Sequence, residues 1–295
     1  MKNQLLKRRL GRTNLQVTEL GFGAMDTPQV PEGKDALLSA INLGVNFIDT
    51  ARIYDGSEFL IGQILPSFNR DDLIIASKTI NRTRDGAQHD VDRSLSLMNL
   101  NRIDLYQLDD VAMEDWDLIL QENGALEGLK IAKYRGLINY IGISSHDLSL
   151  IDIAIESKLF DTVMIEYSAF YSETYNLTKK AYQNDIGVIA MRPLGGSGRM
   201  NSLRTVMERN SLLDNITPSN LLEFVLSNSN ISVSIVGTRY PDRVKSNVET
   251  ALHYKHLNNN EKEKALNYIS QLEDQNIYNH IVTELQPLIK FYPAE

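Results

Sequence analysis

Residues Ile103–Leu108 read IDLYQL, an apolar-rich run that stops on two adjacent aspartates, Asp109 and Asp110. A strand that is apolar toward both faces has to be covered on both sides, and parallel sheets flanked by helices provide that cover. Similar runs recur along the chain at Glu19–Gly23, Asn46–Ile48, Leu73–Ala76, Tyr140–Ser144, Thr162–Ile165, Gly187–Ala190 and Ser232–Val236. With Ile103–Leu108 they make eight strand candidates. Between them lie segments with apolar residues at helical spacing, such as Val91, Leu95 and Met98, or Leu148, Ile151 and Ile155. Asp90 and Ser219 sit where helix starts are expected. Most repeats are about 30 residues long, the length of a βαβ unit.

Eight such units favour a closed (β/α)8 TIM barrel over an open doubly wound sheet. Lys7–Val17, with Gly11 and Asn14 as turn residues, reads as an N-terminal β-hairpin ahead of the first barrel strand. The longest loop is Gly195–Thr217, and everything after about Asn258 reads as a helical or irregular tail. No linker or low-complexity segment interrupts the 295 residues, so one α/β domain over residues 1–295 is expected.

Bulk properties restrict the partners. A net charge of −8 argues against nucleic acid and anionic membrane. The absence of cysteine removes disulfides, thiolate catalysis and iron–sulfur clusters. The start, MKNQLLKRRL, has no apolar signal-peptide core, and no apolar run approaches the roughly 20 residues of a membrane helix. A cytoplasmic location is expected. There is no GxGxxG after a strand, no P-loop, no HExxH and no GxSxG. His253 and His256, three residues apart, read as solvated surface, and no metal is expected.

Catalytic groups in such barrels come from the C-terminal ends of different strands. Those ends carry Asp49, then Tyr54 five residues on, Lys78 and Asp109. Strand parity turns Phe47 and Asp49, Ile74, Ala76 and Lys78, and Leu105, Gln107 and Asp109 inward together. Tyr106 and Leu108 then face the helices, and Asp110 falls in the wall or the loop.

The run GVNFIDTARIYDGSEFLIGQIL (Gly44–Leu65) and the strand IIASKT (Ile74–Thr79) resemble signatures of the aldo-keto reductases. GLINYIGISS (Gly136–Ser145), VIAMRPLGG (Val188–Gly196) and SIVGTRYPDRVKSNVE (Ser234–Glu249) fall where that family has its fifth, seventh and eighth strands. The resemblance implies reduction of a small carbonyl, an aldehyde, ketone or sugar derivative, by hydride from NADPH. Tyr54 would be the general acid, Lys78 its modulator and Asp49 the orienter of the lysine. The chemistry needs these types: a carbonyl oxygen gaining negative charge must meet a proton, and an adjacent ammonium lowers a phenol's pKa.

The family usually ends its fourth strand Y-x-x-H, and Asp109 occupies the histidine position. Ionised, Asp109 would oppose phenolate formation at Tyr54; neutral, it would donate a hydrogen bond to the substrate carbonyl. The expectation is a neutral Asp109. Steroid double-bond reductases of the family carry glutamate there, so reduction of an activated C=C bond is an alternative. A catalytically weak, NADPH-binding regulatory module is another. His146 is a candidate replacement imidazole, or a plain loop residue. Trp116 and the Val111–Trp116 loop, with Tyr171 and Tyr175, are candidate pocket walls.

On the cofactor side, the resemblance assigns Thr238, Arg243 and Asn247 to the adenosine phosphate and adenine. Gly237 stands at the family's lysine position, and Arg239 adds a nearby cation. Two arginines favour NADPH over NADH. Around the nicotinamide, the family's Ser-Asn pair is Ser144-Ser145, its glutamine is Met164 and its stacking aromatic is Met191. Leu194 and Gly195 open a loop, Leu194–Gly198, expected along the pyrophosphate. With no cysteine in the sequence, the C-terminal iron–sulfur extension of a related branch is not expected.

Overall fold

Alternation along each strand sends one set of side chains inside the sheet and the other outside. In the computed structural model, which describes residues 4–196, 217–258 and 260–264, eight parallel strands form a closed barrel. They are β3 (Leu20–Gly23), β4 (Phe47–Asp49), β5 (Ile74–Thr79), β6 (Ile103–Leu108), β7 (Ile138–Ser144), β8 (Thr162–Glu166), β9 (Gly187–Met191) and β10 (Val233–Gly237), with β10 pairing back onto β3. Every expected strand is present, with ends shifted by a residue or a few.

The two apolar faces go to two separate cores. Phe47, Ile74, Ala76, Leu105, Met164, Ile189, Val233 and Ile235 fill the barrel interior. Ile48, Ile75, Tyr106, Leu108, Ile141 and Ile143 face outward into the layer of helices. Inward and outward sets alternate residue by residue, as the parity argument required. Tyr106 is fully buried, and its hydroxyl meets Ser94 at 2.9 Å on the helix Arg84–Met98.

That outer layer comprises, among the described residues, α1 (Gly33–Asn42), α2 (Ser57–Ile64), α3 (Arg84–Met98), α4 (Trp116–Leu120), α5 (Ala125–Tyr134), α6 (Leu148–Ser157), α7 (Tyr175–Gln183), α8 (Pro218–Leu226) and α9 (Pro241–His253). Two helix starts differ from expectation. Thr83, whose hydroxyl accepts from the amide of Gly86, caps α3, and Thr217 caps α8. Asp90 instead lies inside α3, where its carboxylate accepts from Thr79 Oγ1 (2.5 Å) and Asn81 Nδ2 (2.7 Å). A carboxylate read as a cap is thus a side-chain acceptor that ties the helix to the end of β5.

The hairpin forms as β1 (Lys7–Arg9) and β2 (Gln16–Thr18), antiparallel. It closes the N-terminal end of the barrel, sending Leu10, Val17 and Leu15 into the interior core. Gly11 is required there: its φ is +49°, and a Cβ would lie 2.2 Å from the amide nitrogen of Gly187. The opposite, C-terminal mouth stays open to the βα loops. Residues 260–264 are helical. Most of the Gly195–Thr217 loop and the tail from residue 265 lie outside the described residues. No helix among the described residues is long and apolar enough to cross a membrane.

Candidate active site

Strand register brings the site together. Gly237, Gly23, Asp49 and Ala76 are lateral neighbours across four strands, and one pleat higher Lys78 stands beside Gln107. Asp49 and Lys78 therefore both project into the mouth from adjacent strands. Lys78 Nζ lies 2.7 Å from Asp49 Oδ2, and it also donates to the carbonyl of Thr50 at 2.9 Å. Its third neighbour is the Tyr54 hydroxyl at 3.4 Å, and the ammonium sits 4.7 Å from the tyrosine ring centroid. Lys78 is only 1% exposed. Its three donor directions are thus taken by a carboxylate, a carbonyl and a phenol.

Tyr54 comes from the loop after β4, and that loop is anchored from below. Glu58, near the start of α2, is buried; it accepts from Ser77 Oγ at 2.7 Å and is paired with Arg52. The Arg52 amide bonds the carbonyl of Lys78 at 3.0 Å. These contacts give the glutamate of YDGSE (Tyr54–Glu58) a physical role, since they hold the chain just before Tyr54 against β5; its serine, Ser57, instead donates to the carbonyl of Ala24 at 2.9 Å and meets Thr50 Oγ1 at 2.8 Å. Sequence reasoning did not single out Arg52 or Glu58; a buried-type glutamate four residues after the tyrosine was the available signal.

Asp109 is buried at the end of β6, with its amide on the carbonyl of Thr79 at 2.8 Å. It acts electrostatically on Tyr54, Lys78 and Asp49. Asp110 is exposed, in a left-handed conformation (φ +45°). The two adjacent carboxylates therefore part company, one to the mouth and one to solvent.

The electrostatics depart from expectation at the phenol. Burial raises the Tyr54 pKa above its usual value; Lys78 pulls it down, while Asp49 and Asp109 both push it up, and the upward causes win. A single ammonium shared with two carboxylates cannot offset the desolvation of the phenol. Burial also pushes Asp49 up to about 6, against the pull of Lys78 and with a further push from Asp109. Lys78 is raised, because the neighbouring acids outweigh its burial. Near neutral pH the Lys78–Asp49 pair is consequently charged on both sides.

The remaining sequence candidates fall into three groups. Ser144 is buried at the end of β7, and its hydroxyl has no hydrogen-bond partner among the described residues. Ser145 is already committed, donating to the carbonyl of Val111 (2.6 Å) and accepting from the amide of Asp147 (2.9 Å). Met164 is buried in the interior core, with Met191 packed against that core from the end of β9. Leu194 and Gly195 begin the following loop, Gly195 with φ +84° and its amide on the carbonyl of Arg192.

Gly237 ends β10 and is exposed, and Thr238 is buried beside it. Thr238 and Asn247 line one crevice between β3 and the helix α9. The two arginines are both engaged: Arg239 pairs with Asp26 at 3.4 Å, and the Arg243 guanidinium lies 4.8 Å from the Tyr240 ring centroid.

His146 does not stand in for the missing histidine. Its Nδ1 lies 3.6 Å from Glu166 Oε2, and Arg192 reaches the same oxygen at 3.4 Å. This cluster at the ends of β7, β8 and β9 escaped the sequence reading, apart from His146. Trp116 is half-buried and packs against the outer core through Phe160, ring centroids 6.3 Å apart.

The family model described as Aldo/keto reductase family matches residues 19–264. Among curated proteins, the chain is 29% identical over 203 residues to the uncharacterized oxidoreductase YqkF of Bacillus subtilis, covering 64% of each chain. It is 28% identical over 209 residues to L-galactose dehydrogenase of Arabidopsis thaliana, covering 63% of this chain and 65% of that one. The matched stretches thus span just under two thirds of these relatives. The fold is also that of aldo-keto reductase AKR11C1 from Bacillus halodurans in its holo form, with a TM-score of 0.74 and 24% identity, covering 90% of this chain and 96% of the other.

Proposed function

The chain belongs to the aldo/keto reductase family, and from that premise we propose that it is an NADPH-dependent oxidoreductase that reduces a small carbonyl, with Tyr54 as the proton donor. The observation that carries this reading is Lys78 Nζ, held within 2.7 Å of Asp49 and 3.4 Å of the Tyr54 hydroxyl at the open end of the barrel. One folding domain, working in the cytoplasm, accompanies it.

Several features fit a nicotinamide dinucleotide. Asp49 Oδ1 is buried without a protein partner, and Gly237, two strands away across Gly23, leaves its edge of the mouth open. A Cβ on Gly237 would touch only the carbonyl oxygen of Gly23, at 3.6 Å. Ser144 has an uncommitted hydroxyl, and Met164 and Met191 offer a polarisable apolar wall. Beyond Gly237, the start of α9 carries Arg239 and Arg243, a suitable place for a phosphate. Bound there, the cofactor supplies the hydride. The chain's own part is to hold the carbonyl against Tyr54 and to deliver a proton from its hydroxyl as the carbonyl oxygen becomes basic.

With its pKa raised, Tyr54 is fully protonated across the neutral range. It remains a far stronger acid than the alcohol formed, so proton delivery is downhill. Lys78, charged and fixed by Asp49 and Thr50, stabilises the phenolate left behind. Met25, Ile53 and Ile80 are large apolar side chains left exposed, two residues beyond Gly23, next to Tyr54 and two residues beyond Lys78. Such a rim suits a substrate with an apolar substituent on its carbonyl.

Two outcomes are expected. Protonation of Asp49 discharges the partner of Lys78, so turnover should fall as the pH drops through about 6. A pH–rate profile measured on Asp49→Asn should lack that acid limb, and a limb unchanged in the variant would remove Asp49 from the role. The second concerns Asp109. Replacing it by histidine takes away one of the two carboxylates that push Tyr54 upward. Asp109→His should raise aldehyde reduction, because the phenol loses one of the causes that make it a weaker acid. NADPH oxidation against aldehydes, ketones and enones, in wild type and variant, tests both reaction classes. Turnover confined to enones would favour C=C reduction, the alternative raised by a carboxyl residue, Asp109, in the family's histidine position. Fluorescence quenching of NADPH without consumption of any substrate would instead indicate a binding module.

A further inference from the structure

Arg82, in the loop between β5 and α3, makes three hydrogen bonds to the turn that carries Asp109. Its Nη1 donates to the carbonyl of Asp109 at 2.9 Å, its Nη2 to the carbonyl of Asp110 at 2.8 Å, and its Nε to Asp115 Oδ2 at 2.8 Å. The same Asp115 oxygen accepts from the amide of Ala112 at 3.2 Å. The guanidinium is itself largely buried, and the carbonyl of Arg82 takes the amide of Ala125 at 2.9 Å. One side chain thus binds two consecutive carbonyls of the turn and a carboxylate further along it.

The turn needs such a restraint. Asp110 is left-handed at φ +45°, a conformation unfavourable for a residue with a side chain. The amides of Asp109 and Val111 go to the neighbouring strand ends, at the carbonyls of Thr79 (2.8 Å) and Ser144 (2.9 Å). That leaves the carbonyls of Asp109 and Asp110 pointing away from the ladder, where they require donors. A planar guanidinium presents paired donors in a fixed fork; a lysine ammonium does not.

We infer that Arg82 is a positioning residue for the reaction: its fork, braced by Asp115, fixes the left-handed turn at Asp110 and so aims the Asp109 carboxyl at the mouth. Arg82 acts through the backbone of Asp109 and does not touch the substrate. The inference rests on the reading that Asp109 faces the substrate there.

The test is Arg82→Lys, which keeps the charge and loses the fork, compared with Asp109→Asn, the double variant, and Arg84→Lys as an exposed control. In Arg82→Lys, kcat should fall between tenfold and a hundredfold, on the order of an ångström-scale misplacement, while the Kd for NADPH stays within about twofold of wild type. In the Asp109→Asn background the same change should cost little further, because the carboxyl it aims is gone. Arg84→Lys should match wild type. Independent multiplication of the Arg82 and Asp109 effects would overturn the inference, as would a wild-type kcat in Arg82→Lys. A second readout needs no turnover: the carbon-13 titration of the Asp109 carboxyl, assigned by its loss in Asp109→Asn, should shift in Arg82→Lys with bound NADPH and not in Arg84→Lys. An unmoved titration would overturn it. Wild type inactive on every substrate would sink the proposed function while leaving that titration to decide the role of Arg82.

Discussion

Tyr54→Phe is expected to abolish NADPH-dependent reduction while leaving NADPH binding intact. The change removes one oxygen atom. Lys78 keeps its contacts with Asp49 Oδ2 and the Thr50 carbonyl, so the charged pair and the strand ends around it persist. What disappears is the proton within reach of the mouth. Placed general acids contribute about 10²- to 10⁴-fold, equivalent to roughly 3–5 kcal/mol of barrier at 1.36 kcal/mol per factor of ten. Among the described residues, the two other candidates are turned elsewhere: His146 faces Glu166 and Tyr106 faces the helices. Stopped-flow or steady-state oxidation of NADPH, alongside a fluorescence titration of the same cofactor, separates the two effects. A variant that kept more than a tenth of wild-type turnover would mean that the proton comes from elsewhere.

Lys78→Met should cost more than activity. The lysine and Asp49 are both buried, and breaking such a pair by removing one partner costs about 3–5 kcal/mol because the other charge is stranded. The penalty has a pH signature. Asp49 already titrates at about 6 with the ammonium present. Without it, only the upward causes remain, burial and the charge of Asp109, and the folded value rises further. A carboxyl whose folded pKa exceeds its unfolded one binds more protons in the folded state, so stability falls as pH rises between the two values. The variant should therefore lose stability, relative to wild type, by about 1.4 kcal/mol per pH unit from just above pH 6 through neutrality. At pH 4 the two proteins should differ least. Urea unfolding at pH 4, 6 and 8 reads this directly, and an equal deficit at all three would show that Asp49 is not the stranded charge.

The barrel was legible because its information is local. A strand that is apolar on both faces needs cover on both, and eight of them alternating with helical patterns leave few alternatives. Parity then sorted Leu105, Gln107 and Asp109 from Tyr106 and Leu108, and the two cores divide along that line. Misreadings occurred where a side chain's partner is distant in sequence. Asp90 looked like a helix cap but serves Thr79 and Asn81, at the end of the neighbouring strand.

The sequence by itself determined the strand order of residue types: which groups stand at the strand ends, Asp49, Lys78 and Asp109, and that they share the inward face. Periodicity fixes this, because a two-residue repeat leaves no freedom in facing once one member is known. Only the tertiary structure decided how those groups act on one another. The sign of the Tyr54 shift depends on how much water the fold takes away and on how many carboxylates surround one ammonium, and both are set by strands meeting sideways. The same holds for Arg82, whose grip on the Asp109 turn joins segments 27 residues apart that are neighbours only once the barrel has closed.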